Sequence, residues 1–422
     1  MRTGSFTLGW VLLFAVALLG CTSAAGPQPA PTPTNAGPIR IGVVTPISGS
    51  QARFGQAHLQ GYDIALQKIN AAGGVLGRPL KLIFEDDQSI PEQAAAAVDK
   101  LATEDQVPLI IGAYSSSATL LAAGMAERYQ VPLIVPTAAA DEITRQGYRW
   151  VFRIAAPSQI YTQTLLDFMD QIDSPSRLAI VFENTGFGTS VAEAAERQAR
   201  ARNITVVAYH AYQVCPEPCQ RAGEVDFKPL LEEVKATQPD AVLFVSYLDD
   251  AVSLMTQSRA VDFNPPMFTA AGAGFGLPDF PQLAGPAAEY TISVTQWTPD
   301  AQWPGVAEFT RRFQQKYGYP PQYHSAEAYT ALHVAADALG RAGVPARTAV
   351  RGALGSTDLT TIFGNIRFDH QGQNDHPMLV TQIIDAQFIT VYPPEVAARS
   401  PVFPVPSWNQ RADRTGEPAR TP

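Results

Sequence analysis

One repeated pattern limits what this chain can fold into. Residues 108–144 read PLIIGAYSSSATLLAAGMAERYQVPLIVPTAAADEIT. The apolar run Pro108–Ile111 breaks at Gly112. The small polar loop Tyr114–Ser117 follows and opens an alanine- and leucine-rich helix to about Tyr129. Val131–Val135 repeats the design, breaking at Pro136 into the loop Thr137–Ala140. Strands that alternate with helices of this length predict a parallel sheet covered on both faces. In such sheets ligands bind outside the carboxyl ends of the strands. Loops that open helices present backbone N–H groups and partial positive charge, which suits a carboxylate. Ser115, Ser116 and Ser117 add hydroxyls there. Taken alone, Ser115 or Ser116 reads as a helix N-cap, and the context must decide.

The same alternation runs through the chain. Ile39–Val44 and Pro79–Phe84 read as strands around a helix from Gly55 to Asn70, with Leu59, Tyr62, Leu66 and Ile69 on one stripe. Pro91 suits a first helical turn. After Trp150–Pro157 a second set begins: strands at Leu178–Phe182, Ile204–Tyr209, Ala241–Ser246 and Met267–Ala271, with helices at Ser190–Arg202, Phe227–Thr237 and Asp249–Ala260. The fold class is therefore α/β, with two similar Rossmann-like lobes. Tyr290–Val294 reads as a strand at a crossing point. Helices follow at Gly305–Lys316, Ala326–Ala342 and Thr348–Leu354, then strand-rich Gly364–Asp369 and Leu379–Tyr392. The proline-rich tail either wraps a surface or is disordered. The reading divides the chain into 38–155 with 290–368 as one lobe, 156–289 with 369–395 as the other, and 396–422 as the tail.

At 422 residues the chain can build two cores, and its formal charge of −9 without a Lys/Arg-rich run argues against nucleic acid. The N-terminus differs from the rest. Arg2 precedes the apolar segment Phe6–Gly20, which is too short for a comfortable membrane span. Its end, Leu18-Leu19-Gly20-Cys21, resembles the bacterial lipoprotein signal, which implies removal of residues 1–20 and lipidation at Cys21. Residues 21–37 are rich in Pro, Ala, Thr and Gly and read as a flexible tether. Cys215 and Cys219, in Cys-Pro-Glu-Pro-Cys, are spaced too widely for a Cys-x-x-Cys redox motif and lack a second zinc pair; they read as a disulfide staple.

Chemistry-bearing clusters are sparse. The six histidines are dispersed, and Ser115 lacks a Gly-x-Ser-x-Gly elbow. Glu85-Asp86-Asp87 reads as a solvated turn. The expectation is no enzyme, no metal and no cofactor; nucleotide loops are missing too. Phe54, Tyr114, Phe187, Tyr247, Phe275 and Trp297 instead fall near predicted strand ends and suggest a binding cleft with aromatic walls.

The order of motifs resembles the type I periplasmic solute-binding proteins of the leucine/isoleucine/valine-binding group, which feed ABC importers. The resemblance spans about residues 38–395. It rests on Ile41-Gly-Val-Val-Thr-Pro-Ile-Ser-Gly, Ile69-Asn-Ala-Ala-Gly-Gly-Val-Leu-Gly-Arg-Pro-Leu, Ile111-Gly-Ala-Tyr-Ser-Ser-Ser, Val135-Pro-Thr-Ala-Ala-Ala-Asp-Glu-Ile-Thr, Phe152-Arg-Ile, Asp240-Ala-Val-Leu-Phe and Phe368-Asp-His-Gln-Gly. It implies a three-crossing hinge and a ligand clamped between lobes, with Ser115 and Ser116 on a carboxylate. Thr137, Ala138 and Ala139 supply the second loop, and Phe54, Phe187 and Tyr247 the aromatic positions. It implies an extracytoplasmic, lipid-anchored monomer whose partners are permease subunits with their ATPases; a receptor that presents solute to a membrane signalling protein is the alternative. This chain departs from the family pattern at Ala139, where a hydroxyl is usual, and near Ala271, where an acid usually pairs the ligand ammonium. Either Asp249 or Asp250 moves in, or the ligand is not an α-amino acid.

Overall fold

The computed structural model describes residues 37–213 and 225–411. Cys21, Cys215 and Cys219, with the leader and tether, lie outside the described residues. The first lobe opens with β1 (Ile39–Thr45), α1 (Ala52–Ala71), β2 (Leu80–Asp86), α2 (Pro91–Thr103) and β3 (Ile110–Ile111). It continues through α3 (Ser116–Tyr129), β4 (Leu133–Val135), α4 (Glu142–Arg145) and β5 (Val151–Arg153). Its sheet is wholly parallel, in the order β2-β1-β3-β4-β5. Alternate side chains separate by face. Ile39, Ile41, Val43, Ile111 and Ile134 pack with Tyr62 and Ile64 of α1, while Val44, Ile110, Leu133 and Val135 pack with α2 and α3. Burial on both faces explains why these strands read as continuous apolar runs.

The second lobe holds α5 (Ser158–Ile172), β6 (Arg177–Glu183), α6 (Gly186–Ala201), β7 (Thr205–Tyr212), α7 (Lys228–Ala236), β8 (Ala241–Val245) and α8 (Leu248–Ala260). Then come β9 (Met267–Ala270), a 3₁₀ turn at Ala273–Gly276, α9 (Asp279–Ala284) and β10 (Ile292–Thr295). The chain returns to the first lobe for α10 (Val306–Tyr317), α11 (Tyr323–Ala342), α12 (Arg347–Gly355) and the small hairpin β11 (Asp358–Thr361) and β12 (Gly364–Arg367). It ends in the second lobe with β13 (Leu379–Ile384) and β14 (Gln387–Tyr392).

Two expectations change. β10 pairs with β9 and β13, so it belongs to the second sheet, and the lobe boundary expected at 290 falls after Thr295. The second sheet is also not purely parallel: its order is β14-β13-β10-β9-β8-β6-β7, with β13 antiparallel to both neighbours. The link from β13 to β14 is Asp385-Ala386, with φ of 54° and 59°. A two-residue turn of that hand permits only an antiparallel hairpin.

The tail packs on the second lobe as far as Arg411. Trp408 enters its core and donates Nε1–H to the Phe263 carbonyl at 3.1 Å, and the Arg411 guanidinium lies 3.6 Å from the Trp408 ring centroid.

Candidate functional site

The first, second and third crossings meet at Gln296. Its Oε1 accepts the Ala156 N–H at 2.7 Å, and its carbonyl accepts His376 Nε2–H at 2.7 Å. Its Nε2 donates to Tyr161 Oη at 2.6 Å and Glu327 Oε1 at 2.8 Å. Arg153 and Gln373 bond at 2.6 Å, and Gln373 and Asn374 donate to the carbonyls of Ala155 and Ile154. The lobes are closed over the cleft in front of this hinge. Gly186 N–H donates to Ser117 Oγ at 3.0 Å, Asp141 N–H to Ser190 Oγ at 3.0 Å and Ala273 N–H to Tyr323 Oη at 3.1 Å, while Arg53 pairs with Asp279.

The cleft, about 300 Å³ of empty space that is partly open to solvent, is lined on one side by Tyr114, Ser115, Ser116, Thr137, Ala138, Ala139 and Tyr323. Tyr161, Phe187, Tyr247 and Ala273 form the other side. Each polar loop is built locally. Ser115 caps α3, its Oγ accepting Ala118 N–H at 3.2 Å, and Ser116 Oγ accepts Ala140 N–H at 3.1 Å, tying the two loops together. Both hydroxyls therefore keep their own hydrogen to donate. The two readings of Ser115, cap and anion grip, are compatible.

Behind Thr137 runs a buried polar chain. Thr45 Oγ1 lies 3.1 Å from His58 Nδ1, His58 Nε2 lies 2.8 Å from Thr137 Oγ1, and Thr137 Oγ1 donates to Glu327 Oε2 at 2.6 Å. Burial lowers His58 to about 3 and pushes Glu327 well above the ordinary carboxylate range. On the opposite lobe, burial pushes Glu183 up to about 8; its oxygens accept from Tyr247 N–H and Thr185 Oγ1.

Of the residues expected in the cleft, Tyr114, Ser115, Ser116, Thr137, Ala138, Ala139, Phe187 and Tyr247 line it together. Phe54 does not: it stacks behind Tyr114, ring centroids 4.7 Å apart, and supports that wall from inside. Ala271 is corrected too; it is buried in the second-lobe core, and Ala273, one step past Gly272, reaches the cavity. Phe275 packs between Phe244 and Phe280, and Trp297 sits in the first-lobe core with its Nε1–H on the Ile362 carbonyl. Asp249 and Asp250 start α8 and stay off the cavity wall. Asp86, expected on a solvated turn, accepts from Ile47 N–H, Ser48 N–H and Ser48 Oγ and fixes the loop after β1. Sequence reasoning missed Tyr161, Tyr323, Ala273 and the supporting Glu327. Tyr161 stands on α5, a helix that the sequence reading did not place, and the helix that begins at Tyr323 was expected from Ala326. No group of acids, histidines and cysteines among the described residues could hold a metal, and no described helix is long and apolar enough to cross a membrane.

The sequence profile of the family described as "Periplasmic binding protein" matches residues 38–387. The chain belongs to that family. A relative named Leu/Ile/Val-binding protein homolog 7, from Brucella suis biovar 1 (strain 1330), is 28% identical over 377 residues, 85% of this chain and 92% of that protein. The fold is shared with the branched-chain amino acid transporter substrate binding protein LivJ of Streptococcus pneumoniae, solved with isoleucine: TM-score 0.74, 22% identity, 87% of this chain and 100% of that one. It is shared equally with an ABC transporter solute binding protein of R. palustris solved with benzoate: TM-score 0.74, 21% identity, 84% of this chain and 96% of that one. Two closed α/β lobes around a cleft are thus the architecture of type I periplasmic binding proteins, of the leucine/isoleucine/valine-binding group, a family of solute-binding proteins rather than enzymes.

Proposed function

We propose that this periplasmic binding protein is the extracytoplasmic receptor of an ABC importer and captures a small carboxylate-bearing solute between its lobes. One observation carries the reading. Ser115 and Ser116, at the N-terminus of α3, face the cavity with hydroxyl hydrogens left to donate, opposite Phe187 and Tyr247 of the other lobe. An anion there meets a helix N-terminus and two donors at once. Closing the lobes on it presents a defined surface to a permease with its ATPases. Lipidation at Cys21 and the 21–37 tether would hold the receptor, as a monomer, at the membrane that carries the permease.

Isothermal calorimetry with the Ser115→Ala variant tests the grip. Loss of one hydroxyl to an anion should weaken a bound carboxylate by about 1–3 kcal/mol. Equal affinity in the variant and the wild type would remove Ser115 from the site.

A further inference from the structure

Thr137 lines the cleft, and two buried groups that do not line it meet at its hydroxyl. His58 Nε2 stands 2.8 Å from Thr137 Oγ1, and Glu327 Oε2 stands 2.6 Å from it. A threonine hydroxyl has one hydrogen to give and two lone pairs that accept. What Thr137 offers a solute therefore depends on how these two neighbours use it.

His58 donates. Burial lowers it to about 3, so the ring is neutral and carries a single N–H. Its Nδ1 lies 3.1 Å from the hydroxyl of Thr45, which is fully buried. With the hydrogen on Nε2, Thr45 donates to Nδ1 and the ring donates to Thr137. The other tautomer leaves the buried Thr45 hydroxyl with no acceptor for its hydrogen, which is costly.

Glu327 donates as well. It is fully buried, no ion pair among the described residues includes it, and its bonding partners Thr137 and Gln296 are uncharged. The titratable groups around it are neutral too: His58 and Tyr62 on α1, Tyr114 after β3, Tyr161 on α5 and Tyr323 on α11. An ionised carboxylate there would be a buried charge without a counter-charge, so the group holds a proton instead. Glu327 Oε1 already accepts Gln296 Nε2–H at 2.8 Å, so the proton belongs on Oε2, which faces Thr137.

Both lone pairs of Thr137 are then filled from behind, and its own hydrogen is left for the cleft. We propose that Glu327 and His58 are positioning residues that lock Thr137 as a donor-only contact, so that the solute atom it meets is an acceptor bearing no hydrogen. Thr137 thereby joins Ser115 and Ser116 as a third hydroxyl donor on the same wall. This rests on the carboxylate reading above and adds two residues to it that touch no solute. Were Glu327 ionised, the 2.6 Å bond would run the other way: Thr137 would spend its hydrogen on the carboxylate and turn lone pairs towards the anion.

Two measurements on the full chain test the lock. The first needs no solute: the infrared difference spectrum between the wild type and Glu327→Gln at neutral pH. The amide has the shape of the protonated acid and, like it, donates to Thr137 while accepting from Gln296. The wild type should show the carbonyl stretch of a protonated carboxylic acid that the variant lacks. Loss of a carboxylate band instead would overturn the proposal. The second is calorimetry with benzoate, 4-methylpentanoate and leucine, following whichever binds most tightly. Glu327→Leu, which cannot donate, should weaken it by at least about fivefold, and Glu327→Gln should restore it to within about twofold of the wild type. Equal loss in both variants would show that the site uses the charge of Glu327, and equal affinity in all three proteins would show that Glu327 does not act on the solute; either overturns the proposal. If the leucine variant fails to fold, the glutamine variant and the spectrum still decide. No binding by any of the three carboxylates would overturn the carboxylate reading, and the spectrum alone would then decide the lock.

Discussion

Glu183 shows how a single buried side chain sets the conditions under which the cleft is stable. It supports Tyr247 from behind, and burial raises it to about 8 from an ordinary value of 4.5. The folded state therefore holds a proton that the unfolded chain releases above pH 4.5. The stability tied to this group is present in full below that value and is lost as the pH rises through about 8. His58, lowered to about 3 from 6.5, works in the opposite sense: its contribution is lost as the pH falls below 6.5 towards 3. Asp87 and Asp250, each raised to about 6, add to the alkaline slope but finish titrating there, whereas Glu183 continues to 8. Glu183→Gln should accordingly reduce the loss of stability between pH 6.5 and 8 by about 1 kcal/mol per pH unit, measured by urea unfolding across that range. An undiminished slope would show that Glu183 ionises as an ordinary carboxylate. Nothing in the sequence marks this residue: it is the last residue of a strand, where an acid ordinarily meets solvent, and only the fold covers it.

At the scale of elements, the packing of α1 on α11 explains what the sequence pattern could and could not give. The helix itself was legible, and Tyr62 and Ile69 are buried as its stripe required. Leu59 and Leu66 of the same stripe are only half-buried, while Gly61 and Ala65 are buried fully. The reason is α11, which arrives from the far end of the chain and needs small residues to approach. A Cβ added at Gly61 would lie 2.1 Å from the Ser325 carbonyl oxygen and 3.0 Å from Ala328 Cβ. Apolar periodicity records how hydrophobic a face is, not how near a later helix comes. The same limit hid the cleft side of α11, because Tyr323 and Glu327 gain their roles only from contacts with the other lobe and with the Thr137 loop. Gly61→Ala should force the helices apart and destabilise the protein by about 1–3 kcal/mol in denaturant unfolding, with weaker solute binding because α11 carries Tyr323. A variant as stable as the wild type would mean that the two helices have slack at this point.

Across the whole molecule, the alternation of strands and helices revealed two lobes, and the motif order implied the three crossings. It could not show that one side chain joins them. Gln296 stands on the second crossing, bonds the first through Ala156 and the third through His376, and links Tyr161 on α5 of one lobe to Glu327 on α11 of the other. Glutamine at a strand end is unremarkable in sequence; its reach comes from the convergence of segments that lie 31 to 140 residues from it along the chain. The Tyr161–Gln296–Glu327 link ties the two lobes together in the closed form, and a link that opening stretches would favour that form. Gln296→Leu keeps much of the volume but leaves Ala156 N–H, Tyr161 Oη and Glu327 Oε1 without this partner. Each buried polar group so exposed costs about 1–3 kcal/mol, so the variant should lose at least about 2 kcal/mol of unfolding free energy. If the link is one that opening stretches, its removal also shifts the ligand-free population towards open lobes, and small-angle scattering should record a larger radius of gyration than for the wild type. A variant that is less stable yet equally compact would place Gln296 in the architecture of the hinge but not in its motion, and one unchanged in both would show that the remaining bonds of Arg153, Gln373 and Asn374 hold the crossings unaided.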